Sequence, residues 1–290
     1  AWNIIDNKRS PSNPRNEALS PNSSDNESTA SAGGVYTVNF YSNGFSLDMI
    51  YHPFNENGSN FIYMAIAEEN VQPQPVLANS FNTVTYTGNG STQAITGTGF
   101  EPDLVWVKKR SATQDHIIND SVRGVQKELV PNNTSAEYTT SNALSSFDSD
   151  GFTTGANNAL NTSGESYVAW CWKASNDSTI NQEGSITSIV SANPAAGFSC
   201  VKFTTTGSSN DTIGHGIDTP QLIITKSLGA SNWYTYAEGV GTGKYLNLNT
   251  TDASITYSDL FNTVTSSAFQ YKPSSSAGSY IAYCFHSVDG

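Results

Sequence analysis

Apolar and polar positions alternate with a period of two along much of this chain, and one stretch carries the pattern most strongly. In SYVAWCWKA at 166–174, Tyr167, Ala169 and Cys171 fall on one face of a strand, and Val168, Trp170 and Trp172 fall on the other. Large apolar groups on both faces predict a strand with packed material above and below it, in the middle of a sheet. The stretch returns as SYIAYCFHS at 279–287 and, more weakly, as NFIYMAIAE at 60–68. Three versions of one strand predict three versions of one unit.

The rest of the chain follows the same division. The second copy opens with FNTVTYTGNGSTQAITGTGFEPDLVWVKKR, which predicts strands at 84–86, 94–95 and 104–108 separated by Gly-rich turns. The third copy repeats the order in CVKFTTTGSSNDTIGHGIDTPQLIITKS, pairing Gly97-Thr98-Gly99 with Gly214-His215-Gly216. DHIIN at 115–119 matches NWYTY at 232–236 and WNIID at 2–6. LVPNNT at 129–134 matches LSPNSS at 19–24, and Glu137 matches Glu27. FDSDGFT at 147–153 and FYSNGFS at 40–46 both read as hairpins around a tight turn.

These matches predict an all-β chain of tandem antiparallel β-sandwich repeats, jelly-roll or Ig-like in type. A partial first repeat spans 1–69, a stiff Pro-rich linker containing VQPQP spans 70–78, and the second repeat spans 79–175. A connector at 176–197 carries an extra strand near 186–190, and the third repeat spans 198–290. The Ser-, Asn- and Pro-rich segment 8–34 reads as a flexible excursion unless something packs on it. The first copy has no counterpart of 81–110. Its open edges predict completion either by polypeptide upstream of Ala1 or by a neighbouring subunit.

Composition narrows the partners. Only 13 Lys and Arg stand against 25 Asp and Glu, for a formal net charge of −12, which argues against nucleic acid and anionic membranes. No apolar run is long enough to insert in a bilayer as a helix. Charged residues are 13% of the chain and aromatics 11%, in keeping with a β-rich extracellular or virion surface. Of three cysteines, Cys171 and Cys284 occupy the same strand position where the first copy has Ala65, so they read as small buried thiols.

No catalytic motif is present, which predicts a protein that is not an enzyme and uses no cofactor. The histidines His52, His116, His215 and His286 sit at non-equivalent points of the copies. His215, in a Gly-rich turn, reads as a solvated turn residue rather than a base or ligand. Asp148 and Asp150, flanking Ser149 and followed by Gly151, are the candidates for a calcium loop, although hairpin chemistry explains them as well. Glu101, Asp103, Asp120, Glu165, Asp218 and Glu238 are carboxylates of the type a glycosidase pairs across a cleft. Trp106, Trp170 and Trp172 read as core, whereas Trp2 and Trp233, at matching places near the loop ends, are the candidates for glycan or subunit contact.

The block GFEPDLVWVKKR, NDSVRG, LVPNNT, FDSDGFT and SYVAWCWKA, followed by GSITSIVSANPAAGFS, resembles an uncharacterised β-sandwich repeat in structural proteins of tailed phages, many from marine hosts. The resemblance covers nearly the whole chain and is strongest over 81–197. It implies a tail-fibre or other virion component, homo-oligomeric, at the virion surface or extracellular, touching other virion subunits or host-surface glycans. The family has no assigned catalytic residues to carry over. The third copy departs from it where WCWK becomes Tyr283-Cys284-Phe285-His286. Two rival readings are a bacterial extracellular filament or adhesin subunit whose first repeat a neighbour completes, and a carbohydrate-active enzyme.

Overall fold

Aromatic and β-branched side chains at both parities of Ser166–Trp172 hold that stretch as a seven-residue strand, because each face has something to pack against. The structure, a computed structural model, describes residues 2–29, 38–47, 55–66, 80–273 and 276–288. His52, the linker at 70–78 and residues 67–68 and 30–34 lie outside the described residues.

Among the described residues, the first repeat contributes β1 (Glu17–Ala18), β2 (Ser28–Thr29), β3 (Val38–Tyr41) and β4 (Gly44–Leu47). The second contributes β5 (Phe81–Thr87), β6 (Gln93–Thr96), β7 (Leu104–Lys109), β8 (Ile117–Asp120), β9 (Lys127–Glu128), β10 (Tyr138–Thr139), β11 (Leu144–Asp148), β12 (Gly151–Thr154) and β13 (Ser166–Trp172). Next come β14 (Thr179–Asn181), β15 (Ser188–Asn193), β16 (Phe198–Thr205), β17 (Thr212–Gly214), β18 (Leu222–Ser227) and β19 (Trp233–Ala237). The chain closes with β20 (Lys244–Asn247), β21 (Ile255–Thr256), β22 (Leu260–Val264), β23 (Ala268–Tyr271) and β24 (Gly278–Phe285).

The second repeat is a sandwich of one sheet in the order β5-β13-β7-β8 and another in the order β11-β12-β6. The third repeats the order with β16-β24-β18-β19 facing β17-β23-β22. Its larger sheet has eight strands, because β14 and β15 from the connector add to one side of β16 and β20 and β21 to the far edge. All of these strand pairs are antiparallel, and the protein is an all-β sandwich fold. No described helix is long and apolar enough to cross a membrane.

Each sandwich has its own core. Tyr167, Ala169 and Cys171 of β13 pack with Val105, Val107 and Phe152, and Tyr280, Ala282 and Cys284 of β24 pack with Phe203, Ile223 and Phe269. All three cysteines are buried and free. The opposite faces of β13 and β24 enter one further cluster that joins the repeats, with Val168, Trp170 and Trp172 meeting Phe198, Ile281 and Tyr283.

Two expectations need correction. Residues 60–66 form no strand, and Phe61, Tyr63 and Met64 are exposed. A β13-type strand needs a neighbour on each edge, as β5 and β7 supply to β13, and the described residues of the first repeat hold a counterpart of neither. The segment beginning at Lys8 is also packed rather than free over its described part. Arg9, Arg15, Ala18 and Leu19 are buried, with Leu19 in the cluster between the repeats.

Candidate functional site

The inter-repeat cluster is the place where side chains of all three repeats converge. Strand register identifies equivalent positions there. Leu104 lies opposite Asp120 as Leu222 lies opposite Ala237, so His116 corresponds to Trp233. The bridges Ile4–Leu19 and Ile118–Leu129 place Trp2 at the same position, one residue from where the sequence match of WNIID with DHIIN sets it.

At all three of these positions a ring N–H donates to a main-chain carbonyl of another repeat. Trp2 Nε1 donates to Asn247 O at 3.2 Å, His116 Nε2 to Ser20 O at 3.1 Å, and Trp233 Nε1 to Val130 O at 2.9 Å. The acceptors also correspond, since each follows the residue opposite this strand: Leu19, Leu129 and Leu246. First binds third, second binds first, and third binds second. The chain therefore closes on itself as a ring of three repeats through one contact used three times, the pattern by which head-to-tail interfaces close cyclic assemblies.

Further bonds repeat at the two junctions. Gln114 N donates to Ser24 O at 2.8 Å and Ser231 N to Thr134 O at 3.0 Å; Glu27 N donates to Arg110 O and Glu137 N to Leu228 O, both at 2.9 Å. Trp170 Nε1 donates to Asp6 Oδ2 at 3.1 Å, and its counterpart Tyr283 donates from its hydroxyl to Asp120 Oδ2 at 2.7 Å. These carboxylates each hold an arginine three residues on. Arg9 Nε meets Asp6 at 2.6 Å and its Nη1 meets Glu27 at 2.9 Å, while Arg123 meets Asp120 at 2.5 Å and Glu137 at 3.0 Å. Asp120 and nearby partners raise the pKa of Arg123 despite its burial, so it stays charged.

His116 is neutral. Trp106 Nε1 donates to its Nδ1 at 2.9 Å, which leaves the proton on Nε2 facing Ser20 O. Burial, and then the charge of Lys108, lower its pKa to about 3. Burial also lowers Lys108 and its counterpart Lys226 to about 8. Lys108 Nζ donates to Lys109 O at 2.7 Å and to Ser24 O of the first repeat at 3.3 Å, and Lys226 Nζ donates to Ser227 O and Gly229 O at 2.6 and 2.7 Å. Both ammonium groups are tied to carbonyls and shut away from solvent, so they act as cationic ties rather than as nucleophiles.

The structure moves most of the residues singled out by sequence. Trp233 is fully buried at the second–third junction, which corrects its assignment as a surface for glycans; its matching position reflects the shared junction. Trp2 is half-buried at the first–third contact. Asp148 accepts hydroxyl bonds from Ser146 and Thr153, both at 2.7 Å, and Asp150 accepts from Gly97 N at 3.2 Å and Gly99 N at 2.7 Å. These two carboxylates are fasteners of hairpin and turn, and no group of three or more His, Cys, Asp or Glu is placed to hold a metal among the described residues. His215 is buried rather than solvated, with Nε2 on Thr265 O at 3.1 Å and Ile217 N donating to Nδ1 at 3.4 Å.

The carboxylate candidates do not converge on a cleft. Asp103 is buried, taking bonds from Ser121, Ala174, Asn176 and Ser191, and so fastens the start of the connector to the second repeat. Asp120 is the junction acid, Glu165 accepts from Ser111, and Asp218 and Glu238 are exposed. Burial pushes the three cysteine thiols up, away from reactive thiolates. A recess of about 210 Å³ on the third repeat is lined by Ser227, Ala230, Ser231, Tyr234, Pro273 and Tyr280 and carries no acid–base pair.

Sequence reasoning missed the Asp-x-x-Arg pair at 6–9 and 120–123. The signal was present, since the pair recurs at matching points ahead of Glu27 and Glu137. No curated protein and no solved structure matches the chain. A family model does match residues 1–70 and 77–290, and by that match the chain belongs to the family described as domain of unknown function DUF7483.

Proposed function

We propose that this protein is a non-enzymatic structural and adhesive component of a phage virion, a part of a tail fibre or another surface appendage. One observation carries the reading: the groups able to do chemistry are engaged in holding repeats to one another. His116, Trp233, Asp120, Arg123, Lys108 and Asp103 are all buried and bonded at junctions, turns or connectors. A module built this way presents shape, and its acidic outer surface suits contact with neighbouring subunits or host-surface glycans outside the cell. Immunogold labelling of particles purified from the source tests the proposal. Antibody on the tails or shells of intact particles is the expected result, and turnover of a polysaccharide by the purified chain would overturn it.

The open first repeat favours a second reading, a bacterial extracellular filament or adhesin subunit completed by its neighbour. The same micrographs separate the two, because gold along long uniform fibres without capsids is the outcome for the filament.

A further inference from the structure

Phe45, Phe152 and Phe269 occupy the same position of the three repeats, on the strand that follows the hairpin turn. Phe152 and Phe269 are 0% exposed in their sandwich cores, whereas Phe45 is 36% exposed. Tyr63, 76% exposed, stands edge-on to it with ring centroids 5.1 Å apart. A ring that is inside the sandwich in the other two repeats therefore lies against solvent here, with a second exposed ring beside it.

The strand carrying Phe45 is also missing a neighbour. β12 pairs with β11 on one edge and β6 on the other, and β23 pairs with β22 and β17, but among the described residues β4 pairs only with β3. The turn glycines sharpen the point. Gly151 has φ +148° and a Cβ there would stand 1.9 Å from Ile95 O of β6, so glycine makes room for the crossing strand. Gly44 keeps the same backbone angle, φ +152°, with nothing among the described residues within 4 Å of the corresponding Cβ. The first repeat retains the socket for a strand that its own described residues do not fill.

The ring shows where the rest of such a strand unit would lie. The acceptors Arg110 and Leu228 come directly after β7 and β18 and take bonds from the preceding repeat. On the third repeat, the segment corresponding to the donor Glu137 lies within residues 251–258, which are exposed throughout.

We propose that the free edge of β4, with Phe45 and Tyr63, is an acceptor site for an added strand unit of this same fold, patterned like β5–β6–β7, which the described residues of the first repeat do not supply. Main-chain bonds along β4 give the affinity, and an apolar residue at the place of Ile95 packs on Phe45. A second copy of this chain is a poor donor, because its β7 is already held between β13 and β8 and its β5 beside β13. The site is compatible with the virion reading, whereas the filament reading, in which a neighbouring copy completes the first repeat, requires the second copy as donor.

A copy of residues 80–114 joined directly to Ala1 tests this, since that reproduces the spacing ahead of His116, whose place Trp2 takes. Amide hydrogen exchange is read at 44–47 in the unchanged chain and in the fusion. The expected result is exchange at least tenfold slower in the fusion, independent of protein concentration, and returned to the starting rate by Ile95→Asp within the added copy. If the fusion is insoluble, the 80–114 peptide added in trans is read in the same way. Unchanged exchange with either form of the added unit would overturn the proposal. So would protection that the unchanged chain acquires as its concentration rises, because a second copy would then be the occupant.

Discussion

The first–second and second–third junctions use the same main-chain bonds at corresponding positions and differ in the side chains around them. At the first–second junction the ring donor is His116, the residue after the strand is Arg110, and Trp170 serves Asp6. Arg110 reaches Glu27 at 2.7 Å and Glu17 at 3.2 Å, so Glu27 is shared between arginines of two repeats. At the second–third junction the corresponding residues are Trp233, Leu228 and Tyr283, and among the described residues Glu137 pairs with Arg123 alone. Register and backbone bonding thus define the contact, and the side chains set how it responds to pH and salt. The charged junction is the sensitive one.

The largest effect expected is on acidification. His116 titrates at about 3 when folded against 6.5 when unfolded, so between those values the unfolded chain binds the additional proton and stability falls as pH drops. Over the whole window the loss reaches about 5 kcal/mol, and it loosens the first repeat from the second before the second from the third. Hydrogen exchange at the Glu27 and Glu137 amides, followed from pH 7 to pH 4, separates the two junctions. His116→Trp, which copies the other junction, flattens the difference.

Trp233→Ala comes next. It removes a fully buried indole and its bond to Val130 O, and a loss of roughly 3–5 kcal/mol is expected from chemical denaturation. Trp2→Ala, at the half-buried equivalent, costs less than half of that, which tests whether the third contact of the ring is the weakest.

Lys108→Met acts in the opposite direction. The folded pKa of about 8 lies below the free value of 10.5, so the buried charge is a burden that is greatest below pH 8 and is relieved as pH rises toward 10.5. At pH 7 the relief of that burden is set against the bonds to Lys109 O and Ser24 O lost with the ammonium, so the net gain is at most about 2 kcal/mol, and by removing the cation that most lowers it the variant raises the pKa of His116. Lys226→Met gives a similar gain without moving that titration. The smallest change is Tyr283→Phe, which withdraws one of the bonds to Asp120 and costs about 1–2 kcal/mol in thermal unfolding.

Much of the fold was legible because a strand's two faces are written in alternate residues. SYVAWCWKA and SYIAYCFHS announced central strands, and the turn glycines and the Phe-x-x-x-Gly-Phe hairpins marked the repeats. NFIYMAIAE misled because it keeps the pattern while the described first repeat offers no strands on either side of it. The site was less legible. Trp2 and Trp233 were seen to match, but a matched tryptophan reads the same whether it faces a sugar or a neighbouring repeat. The match of DHIIN with NWYTY sets His116 against Trp233, but the place of Trp2 beside them and the bond that all three make appear only in the structure, since no sequence rule equates an imidazole with an indole.

By itself the sequence determined local conformation and repetition: an all-β chain, its strand faces, its turns and the unequal copies, all of which depend on neighbours within a few residues. Only the tertiary structure decided that the outer faces of β13 and β24 meet, that ring donors at 2, 116 and 233 close a cycle, and that Phe45 is left open. Those outcomes depend on which surfaces exclude water together and which N–H finds which carbonyl across the chain, and such pairings are set by the packing of whole repeats.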